Sequence, residues 1–191
     1  MLMVMANNVS MRSWLLLISG LTAADQISKY FVVSNLEFAQ SIALLPGLNM
    51  TLVYNEGAAF GFLGDAGGWQ RWFLSLIAIG VSGYLIFWLR SLEQSQKRLA
   101  CAISLIISGA LGNLIDRIAQ GKVTDFVDFY YSSSSSCMPF FYPLSDYFGG
   151  YNCHWPSFNL ADICISLGAI ILLLDMFFEA SSDEKSTDKT S

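Results

Sequence analysis

Four apolar windows, each close to twenty residues, constrain this chain more than any motif does. They run roughly over 13–33, 69–89, 99–118 and 159–178. A helix needs about 20 residues to cross the hydrocarbon core of a bilayer. Within that core only helices and closed barrels satisfy their own backbone polar groups. Charged residues make up 13% of the 191, against about 25% in an ordinary soluble domain. The expected fold is therefore an all-α membrane protein: a four-transmembrane-helix bundle in a single domain over 1–180, with a small extracytoplasmic β-sheet and loops over its outer face.

Charge placement predicts the orientation. Arg90, Lys97 and Arg98 crowd the short link between the second and third windows, and Arg12 precedes the first. The connection over 34–68 has no Lys or Arg, and that over 119–158 has only Lys122. Cytoplasmic loops carry the excess of basic residues, so both termini and the short link are expected on the cytoplasmic side, with the long connections outside. Met1–Ser10 plus the first window resembles a secretory leader, but no clean small-residue cleavage site follows, and a retained first helix is expected. Met50-Thr-Leu-Val-Tyr54 reads as a strand of the outer sheet, and the polar stretch 181–191 as a disordered cytoplasmic tail. Trp69, Trp72 and Trp155 suit an interfacial belt. The net charge of −5 comes partly from the tail acids. Basic patches with interleaved aromatics are absent, so no nucleic-acid partner is expected.

Depth sorts the carboxylates. A charged group inside a membrane is unfavourable unless it faces a bundle interior or a wet cavity. At about 1.5 Å of rise per residue, Asp25, Asp116 and Asp162 fall near the outer surface, and Asp125 follows the third span closely. Asp175 lies near the opposite end and cannot join them. Simpler readings stand beside each. Asp25 and Lys29, four apart on one helix, pair with each other or serve a site. Asp116, beside Arg117, makes an interface ion pair or an anchor. Asp128 reads as a solvated loop acid. Asp162 caps its own helix or works in a site, with Asn159 available as the cap.

Two carboxylates at one depth have a specific chemistry. When close, they do not both ionise readily, and they titrate as a unit that shares a proton. One then takes a proton from water while the other donates to a carbonyl oxygen. With one histidine, no Cys/His cluster and no Gly-x-Ser-x-Gly elbow, zinc, His-triad and serine-elbow mechanisms are not expected. No cofactor is implied.

Five stretches then carry a family likeness: Asp25-Gln-Ile-Ser-Lys29, Asn55-Glu-Gly-Ala-Ala-Phe-Gly61, Gly109-Ala-Leu-Gly-Asn113-Leu-Ile-Asp116-Arg117, Val123-Thr-Asp125-Phe126 and Phe158-Asn159-Leu-Ala-Asp162. In this order and spacing the chain resembles the bacterial lipoprotein signal peptidases. The resemblance implies a membrane aspartic endopeptidase of the inner membrane, cutting diacylglyceryl-modified prolipoproteins just before the lipidated cysteine. It implies Asp125 and Asp162 as the catalytic pair. It implies Asn113, Arg117, Asn159, Asp25, Lys29 and Asp116 as supporting residues, and Asn55 and Gly57 as part of a substrate loop. The glycines of 55–61 read as a lid or as a plain strand-ending turn. The partners implied are prolipoproteins and membrane lipids, and a monomer is expected.

The connection over 131–158 looks longer than the family pattern. Cys137 and Cys153 both fall outside if the orientation holds, and a disulfide between them is expected, contributing about 3 kcal/mol through loop entropy. Cys101 and Cys164 read as small packing residues. His154 reads as a surface loop residue. A small ion-coupled transporter is the rival function, disfavoured because the acids gather at one surface and no internal repeat is visible.

Overall fold

The computed structural model describes residues 11–57, 67–133, 136–145 and 151–187. Its elements run α1 (Met11–Asn35), β1 (Ser41–Leu45), β2 (Leu48–Asn55), α2 (Trp69–Ser91), α3 (Lys97–Gln120), β3 (Val123–Ser132), β4 (Tyr142–Ser145), β5 (Tyr151–His154) and α4 (Leu160–Thr187). α3 is the central helix, packing against α1, α2 and α4. Two-thirds (67%) of its apolar window is buried, against 22% for the windows of α2 and α4. The outward sides of the peripheral helices are apolar, with Leu76 68%, Phe87 72% and Phe177 68% exposed. Large hydrophobic residues turned outward in this density fit contact with lipid rather than water.

By length and composition three of these helices, α2, α3 and 160–178 of α4, are apolar enough to cross a membrane. α1 is 25 residues long but carries Asp25 and Lys29 in mid-helix. Both side chains are buried in the bundle, with residue exposures of 1% and 3%. Their polarity therefore lowers the hydropathy of α1 without facing its surroundings. Of the stretch 181–191, expected to be disordered, 181–187 continue α4 as helical backbone, and 188–191 lie outside the described residues.

Two apolar clusters organise the packing. Ile18, Leu85, Leu89, Leu99, Ile103 and Ile107 knit α1, α2 and α3 together. Val32 and Leu36 at the end of α1 meet Leu52 of β2 and Phe126 of β3, which seats the sheet on the bundle. The sheet has five strands in the order β1-β2-β3-β5-β4, with every neighbouring pair antiparallel. The single strand read at 50–54 is the middle of β2.

Gly121 ends α3. Its φ of 82° is left-handed, and its N–H closes back on Arg117 O at 3.1 Å. A residue without Cβ takes that conformation freely. The chain thus turns at once from α3 into β3, which sets Asp125 beside the end of the central helix.

Two expectations fail here. Asp128 and His154 are not exposed loop residues: they are 4% and 6% exposed, with His154 Nδ1 2.7 Å from Asp128 Oδ1. The sequence gives no hint that β5 pairs with β3, placing His154 opposite Tyr130. Without that strand partner, a lone Asp and a lone His look solvated.

Candidate active site

The site grows from the first turn of α4. Asn159 precedes the helix. Its Oδ1 accepts the Asp162 N–H at 3.0 Å, and its own N–H donates to Asp162 Oδ2 at 3.1 Å. This reciprocal pair is a capping box built with Asp in place of Glu. The two readings of Asp162 are therefore not exclusive. Its Oδ2 caps the helix, while its Oδ1 accepts from Asn113 Nδ2 at 2.8 Å.

Asp125 arrives from β3, next to an irregularity in strand register. Pairing runs Met50↔Val127, then Val53↔Asp125, so β2 holds one extra residue opposite this stretch. Bulges of that kind redirect nearby side chains. Asp125 Oδ1 accepts from Asn159 Nδ2 at 2.7 Å, and Asn55 also hydrogen-bonds to the carboxyl. Asn159 Nδ2 further touches Asn113 Oδ1 at 3.1 Å and Thr124 O at 3.2 Å. Two asparagines thus join the two carboxyl groups. Burial, then the charge of Asp162, pushes Asp125 up to about 7.

Behind this pair lies an ionic knot. Lys29 Nζ is 2.9 Å from Asp25 Oδ2 and 3.0 Å from Asp116 Oδ2, and it donates to Asn113 Oδ1 at 3.0 Å. Asp25 Oδ1 accepts the Ala161 N–H at 2.9 Å, so α1 supplies a second cap to α4. Asp116 Oδ2 accepts the Thr124 N–H at 3.0 Å, which fixes the start of β3. A Cβ at Gly112 would stand 2.5 Å from Asp25 Oδ2, so glycine is what admits Asp25 between the helices. Asp25 and Lys29 pair with each other, and the pair also holds Ala161 and Asn113 beside the two carboxyl groups.

Arg117 Nη2 donates to Gly57 O at 2.9 Å, and Asn55 Oδ1 accepts the Gly57 N–H at 3.0 Å. That fastens the start of the 55–61 segment at the site. The lid expected over 55–61 falls on 58–61 for the most part, outside the described residues. All ten residues singled out as site candidates therefore meet at one end of the bundle. Asp175 lies apart from them, 3.4 Å from Arg98.

Sequence reasoning missed Gln26, whose Nε2 donates to Asp116 Oδ1 at 3.0 Å and Gly112 O at 3.1 Å. A polar residue beside Asp25 in an apolar helix was the available signal. It also missed the wall made by Trp155, Pro156 and Ser157. These three border a cavity of about 650 Å³ that reaches Asn55, Asn113, Arg117, Asp125 and Asp162. The rest of that cavity is largely apolar, with Leu74, Ile77 and Val81 of α2 and Ile163 and Leu167 of α4 in its lining. Among the described residues, no three His, Cys, Asp or Glu side chains converge as a metal site requires. Cys137 and Cys153 are bonded, with Cα atoms 5.4 Å apart. Cys164 is buried and Cys101 half-buried.

A polar end with two carboxyl groups thus opens into an apolar chamber between long hydrophobic helices. The comparisons give the family. The family described as Signal peptidase (SPase) II matches residues 17–178. A lipoprotein signal peptidase of Shewanella sp. (strain MR-4) is 43% identical over 166 residues, covering 87% of this chain and 86% of the relative. One of Pseudoalteromonas translucida (strain TAC 125) is 46% identical over 171 residues, covering 90% and 92%. A solved bacterial membrane enzyme, obtained by the in meso method at 2.3 Å resolution, superposes with a TM-score of 0.74 at 27% identity, covering 93% of this chain and 95% of the other. The chain belongs to the signal peptidase II family, and it is thereby a hydrolase of the aspartic endopeptidase class.

Proposed function

We propose that this chain removes the signal peptide from diacylglyceryl-modified prolipoproteins by cutting just before the lipidated cysteine, with Asp125 and Asp162 as the catalytic pair. The observation that carries the reading is the shared cavity: both carboxyl groups border its polar end, bridged by Asn113 and Asn159, while its walls are apolar. Asp125, held near neutrality by burial and its partner, carries the shared proton. Asp162 takes a proton from water, and the resulting hydroxide adds to the scissile carbonyl carbon. Asp125 gives its proton to the carbonyl oxygen, which relieves the developing negative charge. Collapse of the tetrahedral adduct breaks the C–N bond. The leaving amine takes the proton held by Asp162, and Asp125 recovers its own.

The apolar chamber supports a substrate whose acyl chains or signal helix stay in the bilayer while the scissile bond meets the carboxyl groups. We place α1 in the membrane as a fourth span, since its two mid-helix charges are neutralised inside the bundle. Both termini then face the cytoplasm and the pair lies at the outer face of the bacterial inner membrane. The carboxyl groups come from one chain, which fits action as a monomer among lipids. Purified protein in detergent, given a diacylglyceryl prolipoprotein peptide, is expected to release the signal peptide, whereas Asp125→Asn and Asp162→Asn are not. Cleavage by either folded variant at the wild-type rate would falsify the pair.

A further inference from the structure

β5 is held in two ways that the proposed chemistry does not use, one to Cys137 and one to β3. Cys137 is bonded to Cys153 of β5. One residue on, His154 Nδ1 lies 2.7 Å from Asp128 Oδ1 on β3, and Asp128 Oδ2 accepts from Thr51 Oγ1 at 2.8 Å. Tyr130 and Tyr142 flank the imidazole, with ring centroids at 5.5 and 6.2 Å. Buried polar pairs of this kind persist only where geometry and further hydrogen bonds offset their desolvation.

Phe141 and Tyr142, just after Cys137, reach the wall of the cavity that Asp125 and Asp162 border. Phe141 packs edge-on against Trp155 at 5.4 Å, and the Tyr142 side chain is hydrogen-bonded to Ser157. The Trp155 N–H also donates to Phe129 O at 2.8 Å. Trp155 and Ser157 border the same cavity as Asp125 and Asp162. The wall therefore follows directly on β5, and Phe141 and Tyr142 pack behind it.

We infer that Phe141 and Tyr142 are positioning residues that set substrate specificity. They hold Trp155 and Ser157 as a rigid wall that limits the size of the residue following the lipidated cysteine. The side of the cleavage bond follows from the layout: the apolar helices suit the signal peptide, which leaves the sheet-side wall to the mature polypeptide. The inference rests on the cavity being the substrate site, as proposed above.

The test uses the full chain in detergent and two lipidated peptides carrying Ser or Trp after the modified cysteine. The wild type is expected to favour Ser by about tenfold or more in kcat/KM, chiefly through KM, the scale on which a pocket rejects added bulk. Tyr142→Phe, which keeps the ring and loses only the hydroxyl, and Phe141→Ala are each expected to bring that preference below about threefold, with kcat for the Ser peptide within about twofold of wild type. Reducing the Cys137–Cys153 bond in folded wild type should act in the same direction. No Ser preference in the wild type, or a preference unchanged by both Tyr142→Phe and reduction, overturns the inference. So does an equal fall in kcat for both peptides, which is what a merely structural role would give. An active Asp125→Asn enzyme would instead defeat the proposed catalytic pair, so the two failures are distinguishable.

Discussion

Two groups of carboxylates lie side by side in this protein, and their partners differ in kind. Asp25 and Asp116 share a full cation, Lys29, at 2.9 and 3.0 Å. Asp125 and Asp162 receive amide donors from Asn55, Asn113 and Asn159. An ammonium partner holds a carboxylate by charge as well as by hydrogen bond, whereas a neutral amide only positions it. In the proposed mechanism the first group serves as scaffold and the second as chemistry, although all four acids belong to one network. Asn113 links the two, accepting from Lys29 and donating to Asp162.

The largest effect that would break this comparison is at the pair itself. Asp162→Asn keeps the size and an acceptor oxygen but cannot take the proton from water, and kcat should fall by at least on the order of 10³-fold, read in a peptide-cleavage assay. A knot mutation should instead act on stability. Lys29→Met leaves Asp25 and Asp116 buried without their cation, and a cost of about 3–5 kcal/mol is expected, measured as a lowered Tm in detergent. If Lys29→Met lowered kcat with unchanged Tm, the division into scaffold and chemistry would be wrong.

A smaller effect concerns pH. Asp125, raised from 3.8 to about 7, keeps its proton in the native state over a range where the unfolded chain has lost it. Between these values the native state binds more protons, so stability falls as pH rises from about 4 to about 7 and levels off above. In the proposed mechanism the pair works singly protonated, so kcat/KM should also fall about tenfold per pH unit above roughly 7. A rate flat from pH 6 to 9 would remove Asp125 as proton carrier. The smallest effect lies at the far end of the bundle. Arg98, with its side chain 74% exposed, should contribute about 0–1 kcal/mol through Asp175. Arg98→Ala should leave Tm and turnover nearly unchanged.

What was legible in the sequence is the part written in single elements. Apolar runs mark helices by themselves, and Asp125 and Asp162 stand out because one closely follows such a run and the other opens one. Asn159 before α4 and Gly121 after α3 are local signals of the same sort. Contacts between strands distant in sequence were not legible. The Asp128–His154 pair depends on β5 returning to β3, and no periodicity in a four-residue strand announces that. The linkage of Asp25 to Ala161, 136 residues apart, was hidden for the same reason. Gln26 was overshadowed by the charged residue beside it.

The bond from the Ala161 N–H to Asp25 Oδ1 joins the first helix of the bundle to the last. Asp162 lies one residue further on, so the start of its helix is held by a side chain 136 residues earlier in the chain. Docking of α1 on α4 thus also sets the turn that presents Asp162 to the cavity.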